Sequence, residues 1–492
     1  MPTETTPLIG QLGPDRTSSF LNRKSITIFG AVALVIFVFS TAFSATTQPP
    51  KLEKDSFLVS ALPGETNEIT ASLNKQYAGY IPVTNDGYLF FWHFPSMNVT
   101  SNRLVIWING GPGCSSMIGQ FTENGPFSVS DEGSLAVNKF SWHNNVNMLY
   151  VDQPTGAGFS FTKPKKGPHD EYEVGAQFHT FLRQFYLIFP ETQGMDLFIT
   201  GESYAGVYVP WIAKYIVENP VIPSKDISRT FVQKETPTFR IKFKGIGIGN
   251  PVLSYKYQFQ PIEAFEFLHA TNFFKNDSVA LREASNLAET CRYTSDRFPN
   301  STGMPFGCSM YRFANDWGVG QYGEGYCLDR LNINLKCVDD SMIGGPMLSV
   351  YLDRSDVRKA IHVDPLQLEN GGHIQWKACD QRVDNLNDTA LPEPIEIIPQ
   401  LIASGIKCLV YEGDLDLSIN YIGTERSLSN MTWSGKQGMH QPLTEYRVDG
   451  VPAGLEASER GLSYLRVYQA GHLVPTDQPA RGADVLQRII NQ

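Results

Sequence analysis

The sequence predicts an α/β protein built on a mostly parallel, doubly wound sheet, and three observations carry that expectation. Continuous Val, Ile and Leu runs recur along the chain, segments of helical spacing separate them, and several runs end at a glycine- or proline-bearing turn. Strands buried on both faces read this way, whereas a half-solvated antiparallel sheet would alternate apolar and polar residues. The runs are RLVIWI (103–108), VNMLYV (146–151), DLFIT (196–200), FKGIGI (243–248), IKCLVY (406–411) and YLRVY (464–468). Helix-length apolar spacing follows the third, from 204 to 218. Ligands on such sheets bind beyond the carboxyl ends of the strands. The stretch 255–345 breaks the pattern with helical pieces at 261–270 and 278–289, followed by cysteine-rich loops. It reads as an insertion capping the sheet, because strand signals resume after it.

At 492 residues, 42% hydrophobic and 18% charged, the chain is long enough and apolar enough to bury a large core. A net charge of -10 argues against a nucleic-acid partner, which would need clustered Lys and Arg. The seven cysteines are Cys114, Cys291, Cys308, Cys327, Cys337, Cys379 and Cys408. No two form a C-x-x-C pair, so neither a zinc knuckle nor a redox motif is expected, and nothing calls for a metal or cofactor. Four of them crowd between 291 and 337 and read as disulfides, which require an oxidising compartment. Four cysteines allow three pairings, and spacing does not choose among them. Cys408 lies in an apolar run and reads as a buried unpaired thiol.

Residues 26–45 form an uncharged apolar run of the length a helix needs to cross a bilayer. Arg23 and Lys24 precede it, so the positive-inside rule puts residues 1–25 in the cytosol and the bulk of the chain in a lumen. The run reads as a signal anchor attached to the membrane, followed by a linker at 46–64 and a folded domain from 65 to 492. The competing reading is a signal peptide cleaved near Ser40-Thr41-Ala42, leaving a secreted protein. The tail segment ETTPLI (4–9) resembles an acidic dileucine signal for lysosomes or vacuoles. Five N-x-S/T sequons, at Asn98, Asn276, Asn300, Asn387 and Asn430, fit a lumenal chain carrying glycans.

GESYAG (201–206) approximates the nucleophile elbow G-x-S-x-G, with Ala205 in the last glycine position. The sharp strand-to-helix turn needs small neighbours and lifts the serine oxygen above the sheet; the alternative is an ordinary helix-capping serine. A serine nucleophile needs a base and an orienting acid, in the order Ser, Asp, His on this architecture. GHLVP (471–475) supplies His472 after a late strand, and EGDLD (412–416) offers Asp414 and Asp416 after the preceding one. His93, His143, His169 and His179 lack this placement. NGGPGCSS (109–116) opens at another strand end, where adjacent glycines let backbone N–H groups approach an oxyanion.

At these residues the chain resembles the serine carboxypeptidase family. The matching stretches are WINGGPGCSS (107–116), ENGPF (123–127), DQPTGAGFS (152–160), GESYAG (201–206), GDLD (413–416) and GHLVP (471–475), in family order over nearly the whole lumenal region. The resemblance implies the α/β-hydrolase fold with a helical, disulfide-bonded cap. It implies Ser203 as nucleophile, His472 as general base and acid, and Asp416, rather than Asp414, as orienter. The oxyanion hole would be the N–H groups of Gly111 and Tyr204. Asn109, the Gly110 amide, Glu202 and Glu123 would bind the free carboxylate of a peptide or protein C-terminus. A Cys114–Cys379 disulfide is implied as well. Two carboxyls meeting a third cannot all ionise without a cation, so Glu202 is expected to work protonated, at acidic pH, in a vacuole or lysosome. Tyr204, Ser418 and Ile419, uncharged near the family's pocket, favour an apolar penultimate residue. Acyl transfer from sugar esters and a non-catalytic protective role are the alternatives within the fold, and the intact carboxylate-binding set and triad lean away from both.

Overall fold

In the computed structural model of the chain, residues 53–130, 132–163, 167–223, 238–297, 308–337, 345–363, 375–380, 383, 386–387 and 392–492 are described. The expected tail, the anchor at 26–45, the linker up to 52 and the sequon at Asn300 lie outside the described residues. Among those described, no helix is long and apolar enough to cross a membrane.

The strands of the main sheet are β1 Tyr77–Pro82, β2 Gly87–Phe94, β3 Arg103–Ile108, β4 Asn147–Asp152, β5 Phe161–Thr162, β6 Asp196–Glu202, β7 Lys242–Gly249, β8 Lys407–Gly413, β9 Thr444–Val448, β10 Val451–Glu459 and β11 Leu462–Val467. They form one sheet in the order β1-β2-β4-β3-β6-β7-β8-β11-β10-β9, with β5 beside β2. Every ladder from β4 to β11 is parallel. These six are the Val, Ile and Leu runs of the sequence, buried almost end to end.

Both flanks are antiparallel, so the sheet is mixed. One flank, β1 and β2, is aromatic and wholly buried but for one residue in each strand. The other, β9 and β10, exposes much of its length and carries charges along the outer edge, which discourages pairing with another chain.

Helices cover the sheet. Glu171–Ile188 (α2, after the short α1 at Met117–Thr122) packs on Ala205–Glu218 (α3), and α3 lies against β6 and β7. Pro479–Ile490, the last helix, sends Ile489 against β7. Alternate β3 residues divide between the layers: Val105 and Trp107 join the cluster that holds Ile489, while Leu104, Ile106 and Ile108 are buried outside it. The helices Pro261–Ala270 (α4), Ser278–Arg297 (α5) and Met310–Tyr322 (α6) build a separate small core around Phe267, Phe274, Ala284, Met310 and Leu328, onto which Leu417 and Tyr421 also pack. Two disulfides, Cys291–Cys308 and Cys327–Cys337, close this region, and Cys114 is bonded to Cys379. Cys408 is a buried free thiol.

Residues 53–64, expected to continue the linker, instead lie on the body. Phe57, Val59 and Leu62 are buried, and Leu58 bridges to Tyr77. Three apolar residues within six positions outweigh the Pro63-Gly64 punctuation. Asn98, Asn276, Asn387 and Asn430 are all exposed.

Phe91 is the hub of the aromatic flank, with ring centroids of Phe57, Phe185 and Phe189 at 5.3, 6.0 and 5.9 Å and no exposed surface. Phe91→Ala should cost about 3–5 kcal/mol of stability, read by chemical denaturation.

Candidate active site

The chain leaves β6 at Glu202 and turns at Ser203, whose φ of 65° is rare for a residue with a side chain. Three backbone hydrogen bonds hold it there: Ser203 N–H donates to Gly249 O at 2.9 Å, and its carbonyl accepts from Gly206 N at 2.9 Å and Val252 N at 3.0 Å. A Cβ at Gly201 would stand 2.3 Å from Ile108 O, and one at Gly206 2.5 Å from Val252 O. The tight second position is therefore Gly206, one residue beyond where the elbow pattern places it; Ala205 begins helix α3. Ser203 stays partly exposed while Gly201, Glu202 and Tyr204 are buried.

The loop after β3 presses on this elbow. A Cβ on Gly110 would be 2.4 Å from Tyr204 N and 2.9 Å from Ser203 Cβ, so Gly110 lies flat against the serine. Asp152, at the end of β4, holds the loop from below. Its Oδ1 accepts from Ser115 Oγ at 2.7 Å and Ser116 N at 2.8 Å, and its Oδ2 from Phe159 N at 2.8 Å. Burial pushes its carboxyl up to about 6. From the side, Ser115 N–H donates to Ala378 O at 2.7 Å, Asp380 N–H to Gly113 O at 3.1 Å, and the Cys114–Cys379 disulfide lies between them.

Asn109 begins the same loop. Its Oδ1 accepts from Trp107 Nε1 at 2.8 Å and Gly119 N at 3.1 Å. Those two donors fix the amide orientation and aim Nδ2 at Glu202 Oε1, 3.0 Å away. Glu202 and Glu123 are 3% and 4% exposed and face each other. Glu202 Oε2 receives no N–H donor from the described residues, and Asn109 and Glu202 are the side chains that reach the Glu123 carboxyl. One proton held between the two carboxyls would supply a donor for this contact. Burial raises both groups, Glu123 to about 7, and Glu202 well above the carboxylate range, with the charge of Glu123 adding to the rise.

Two further strand ends bring the acid and the histidine. Asp416, fully buried after β8, accepts His472 Nδ1 at 2.6 Å and Asn250 Nδ2 at 2.8 Å on Oδ2, and Ser418 N at 2.8 Å and Ile419 N at 3.2 Å on Oδ1. Asn250 directly follows β7 and the Gly249 carbonyl that holds Ser203, so one residue ties the serine loop to the Asp–His couple. Asp414 lies beside the N–H groups of Gln469 and Ala470, and it is Asp416 that is bonded to His472. His93 and His143 are buried packing residues bonded to Met148 O and Ser72 O. The sequence reading missed Asn250, Asp152 and Ser115. For Asn250 the sequence offered only a polar residue at the end of a strand, before a proline; its φ of 41°, which Asn tolerates, shows only in the structure.

A mixed sheet with an elbow serine at the carboxyl edge of its parallel strands puts the chain in the α/β-hydrolase class. The comparisons narrow this. A family model described as serine carboxypeptidase matches residues 63–492, and the chain belongs to that family. The pheromone-processing carboxypeptidase kex1 of Aspergillus niger is 33% identical over 451 residues, covering 88% of this chain and 70% of that protein. Its counterpart in Aspergillus fumigatus is 33% identical over 463 residues, 91% of this chain and 70% of the relative. The crystal structure of Kex1(delta)p, a prohormone-processing carboxypeptidase from Saccharomyces cerevisiae, superposes with a TM-score of 0.73 at 25% identity, over 90% of this chain and 97% of the other. The chain is a serine-type carboxypeptidase, an exopeptidase acting on peptide C-termini.

Buried acids tie stability to pH. Glu123, Asp152 and Asp414 keep protons in the fold at a pH where the unfolded chain has released them. The fold then binds more protons, and stability is lost as pH rises from 4.5, the ordinary value for Glu123, through its folded value of about 7. His93 opposes this: lowered by burial from 6.5 to about 4, it costs stability as pH falls through that window. With the acids more numerous, the unfolding temperature should be higher at about pH 5.5 than at about pH 8, and Glu123→Gln should narrow the gap. Equal midpoints in the parent protein would count against the shared proton.

Proposed function

We propose that Ser203 Oγ attacks the carbonyl of the last peptide bond while His472 Nε2 takes its proton. Asp416, bonded to Nδ1, holds the imidazole in the required tautomer and stabilises the imidazolium. The N–H groups of Gly111 and Tyr204 receive the oxyanion; the pressing of Gly110 onto Tyr204 N supports this. The C–N bond then breaks, His472 returns the proton to the leaving amine, and the C-terminal residue departs from an acyl-enzyme. Water, deprotonated by His472, attacks that ester and frees Ser203.

One observation carries the choice of an exopeptidase geometry: the buried Asn109–Glu202–Glu123 group, immediately before the serine. Asn109 Nδ2, the Gly110 amide and a protonated Glu202 are donors suited to a free carboxylate. An ionised Glu202 would repel it. Catalysis therefore belongs to acid, and kcat/KM declines as pH rises through the titration of the pair.

We place the domain in an oxidising lumen, which three disulfides and four exposed sequon asparagines support. The apolar run at 26–45 would anchor it there, and the acidic working range together with the dileucine-like tail favours a vacuole or lysosome. The likeness to carboxypeptidases named for pheromone processing favours a second reading, in which the substrates are peptide precursors matured by removal of C-terminal residues.

Ser203→Ala should lower kcat by about 10⁴-fold or more and abolish fluorophosphonate labelling. Glu202→Gln should flatten the decline of kcat/KM toward neutral pH on a blocked dipeptide, since an amide donates at any pH. A variant with the parent's profile would remove Glu202 from this role, and equal trimming of C-terminally amidated peptides would remove carboxylate recognition altogether.

A further inference from the structure

The disulfide Cys327–Cys337 closes a loop whose ends are ten positions apart, and its middle threads between the two loops that carry Asp416 and His472. On one side, Arg330 O accepts the N–H groups of Leu417 and Ser418, each at 3.0 Å, and Ile333 N–H donates to Leu415 O at 3.1 Å. These residues flank Asp416. On the other side, Leu331 O accepts His472 N–H at 2.7 Å. Next to it, Asp477 Oδ2 accepts both Asn332 Nδ2 at 2.9 Å and Gly471 N–H at 2.6 Å. A Cβ on Gly471 would stand 2.2 Å from Leu331 O and 2.6 Å from Asn332 Cβ, so the loop lies directly on the histidine turn. Its far end is tied to the cap, where Tyr311 Oη donates to Leu328 O at 3.1 Å and Leu328 N–H to Asn315 Oδ1 at 2.9 Å.

We propose that the loop 327–337 is a strap that sets the Asp416–His472 geometry, with Asn332 and Asp477 as positioning residues. Asp416 and His472 lie 56 positions apart on separate strand-end loops. The loops meet at their bases through Leu415 N–H and Ala470 O, 2.8 Å apart, but beyond that point the direct link is the single carboxylate–imidazole bond. Loops at a sheet edge are the mobile parts of such a fold. A strap bonded to the backbone on either side of Asp416, and to His472 itself, removes that freedom before substrate arrives. The cap thereby acts on the chemistry through Asn332 and Asp477, whose side chains are bonded to each other and, through Asp477, to the Gly471 N–H.

The inference rests on the proposed roles of Asp416 and His472, so the experiment keeps the two separate. Asp477→Ala, and independently Cys327→Ser with Cys337→Ser, should lower kcat roughly tenfold to a hundredfold, as misplacement of catalytic groups by about 1 Å does. KM should stay within about twofold, and fluorophosphonate labelling of Ser203 should slow in parallel. Asp477→Asn, whose side-chain oxygen still accepts both N–H groups, should keep most of the rate. Activities are divided by the folded fraction from thermal unfolding. If Asp477→Ala matches Asp477→Asn, or loses activity only in proportion to folded protein, the strap is overturned while the triad reading stands. Activity persisting in His472→Ala would overturn the triad reading and the strap with it.

Discussion

The arrangement depends on a backbone contact with no room in it. Gly110 lies against Ser203 and Tyr204, Gly201 against Ile108, and Gly206 against Val252. These approaches let a serine leave the end of β6 in a left-handed conformation and still have its N–H and carbonyl satisfied by neighbouring loops. Strain of this kind persists only where the surroundings over-determine it. Here they do so from three directions: the loop after β3, the loop after β7, and the first turn of α3. Everything polar in the site is then placed by where these loops begin, at adjacent parallel strand ends.

A second constraint is electrostatic. The site buries Glu123 and Glu202 face to face, with Asp416 close enough to raise Glu202 further. A pair of carboxylates in such a place is unfavourable, whereas a pair sharing one proton is a hydrogen bond. The same choice recurs elsewhere in the body: Asp152 is held by three donors, and Glu412, buried beside Thr424 Oγ1, keeps its proton well above the ordinary range. Acids buried without cations suit a protein that works where protons are plentiful. His93 and His143, both buried and depressed by burial, set the opposite limit in strong acid.

The parallel half of the sheet was legible because strands buried on both faces need continuous aliphatic runs, and those stand out in the sequence. The antiparallel flanks were not. β1 and β2 are buried by aromatic rings from several distant segments, a packing that no local spacing encodes, and β10 alternates too irregularly to declare a face. Ser203, Asp416 and His472 were readable as chemistry-bearing residues at strand ends with glycine beside them. Asn250 was not, since an asparagine before a proline reads as an ordinary turn; its meaning appears only when Asp416, 166 positions later, is found against its amide. Likewise the cap cysteines declared disulfides but not their pairing, which depends on how α5 and α6 pack.

The position of the cap follows from these facts. Ser203, Asp416 and His472 lie beyond three different strand ends, and the sheet fixes only the first residues of the loops that carry Asp416 and His472. The serine needs no such help, because three close-packed glycines and three backbone hydrogen bonds already hold it. An inserted segment that only covered the cleft could be tied to the body anywhere. This one reaches down between the acid and histidine loops, spends its backbone carbonyls on residues beside Asp416 and on His472, and closes itself with a disulfide at that point. The economical reading of that placement is that the cap supplies rigidity to the two members of the site that the sheet leaves loose.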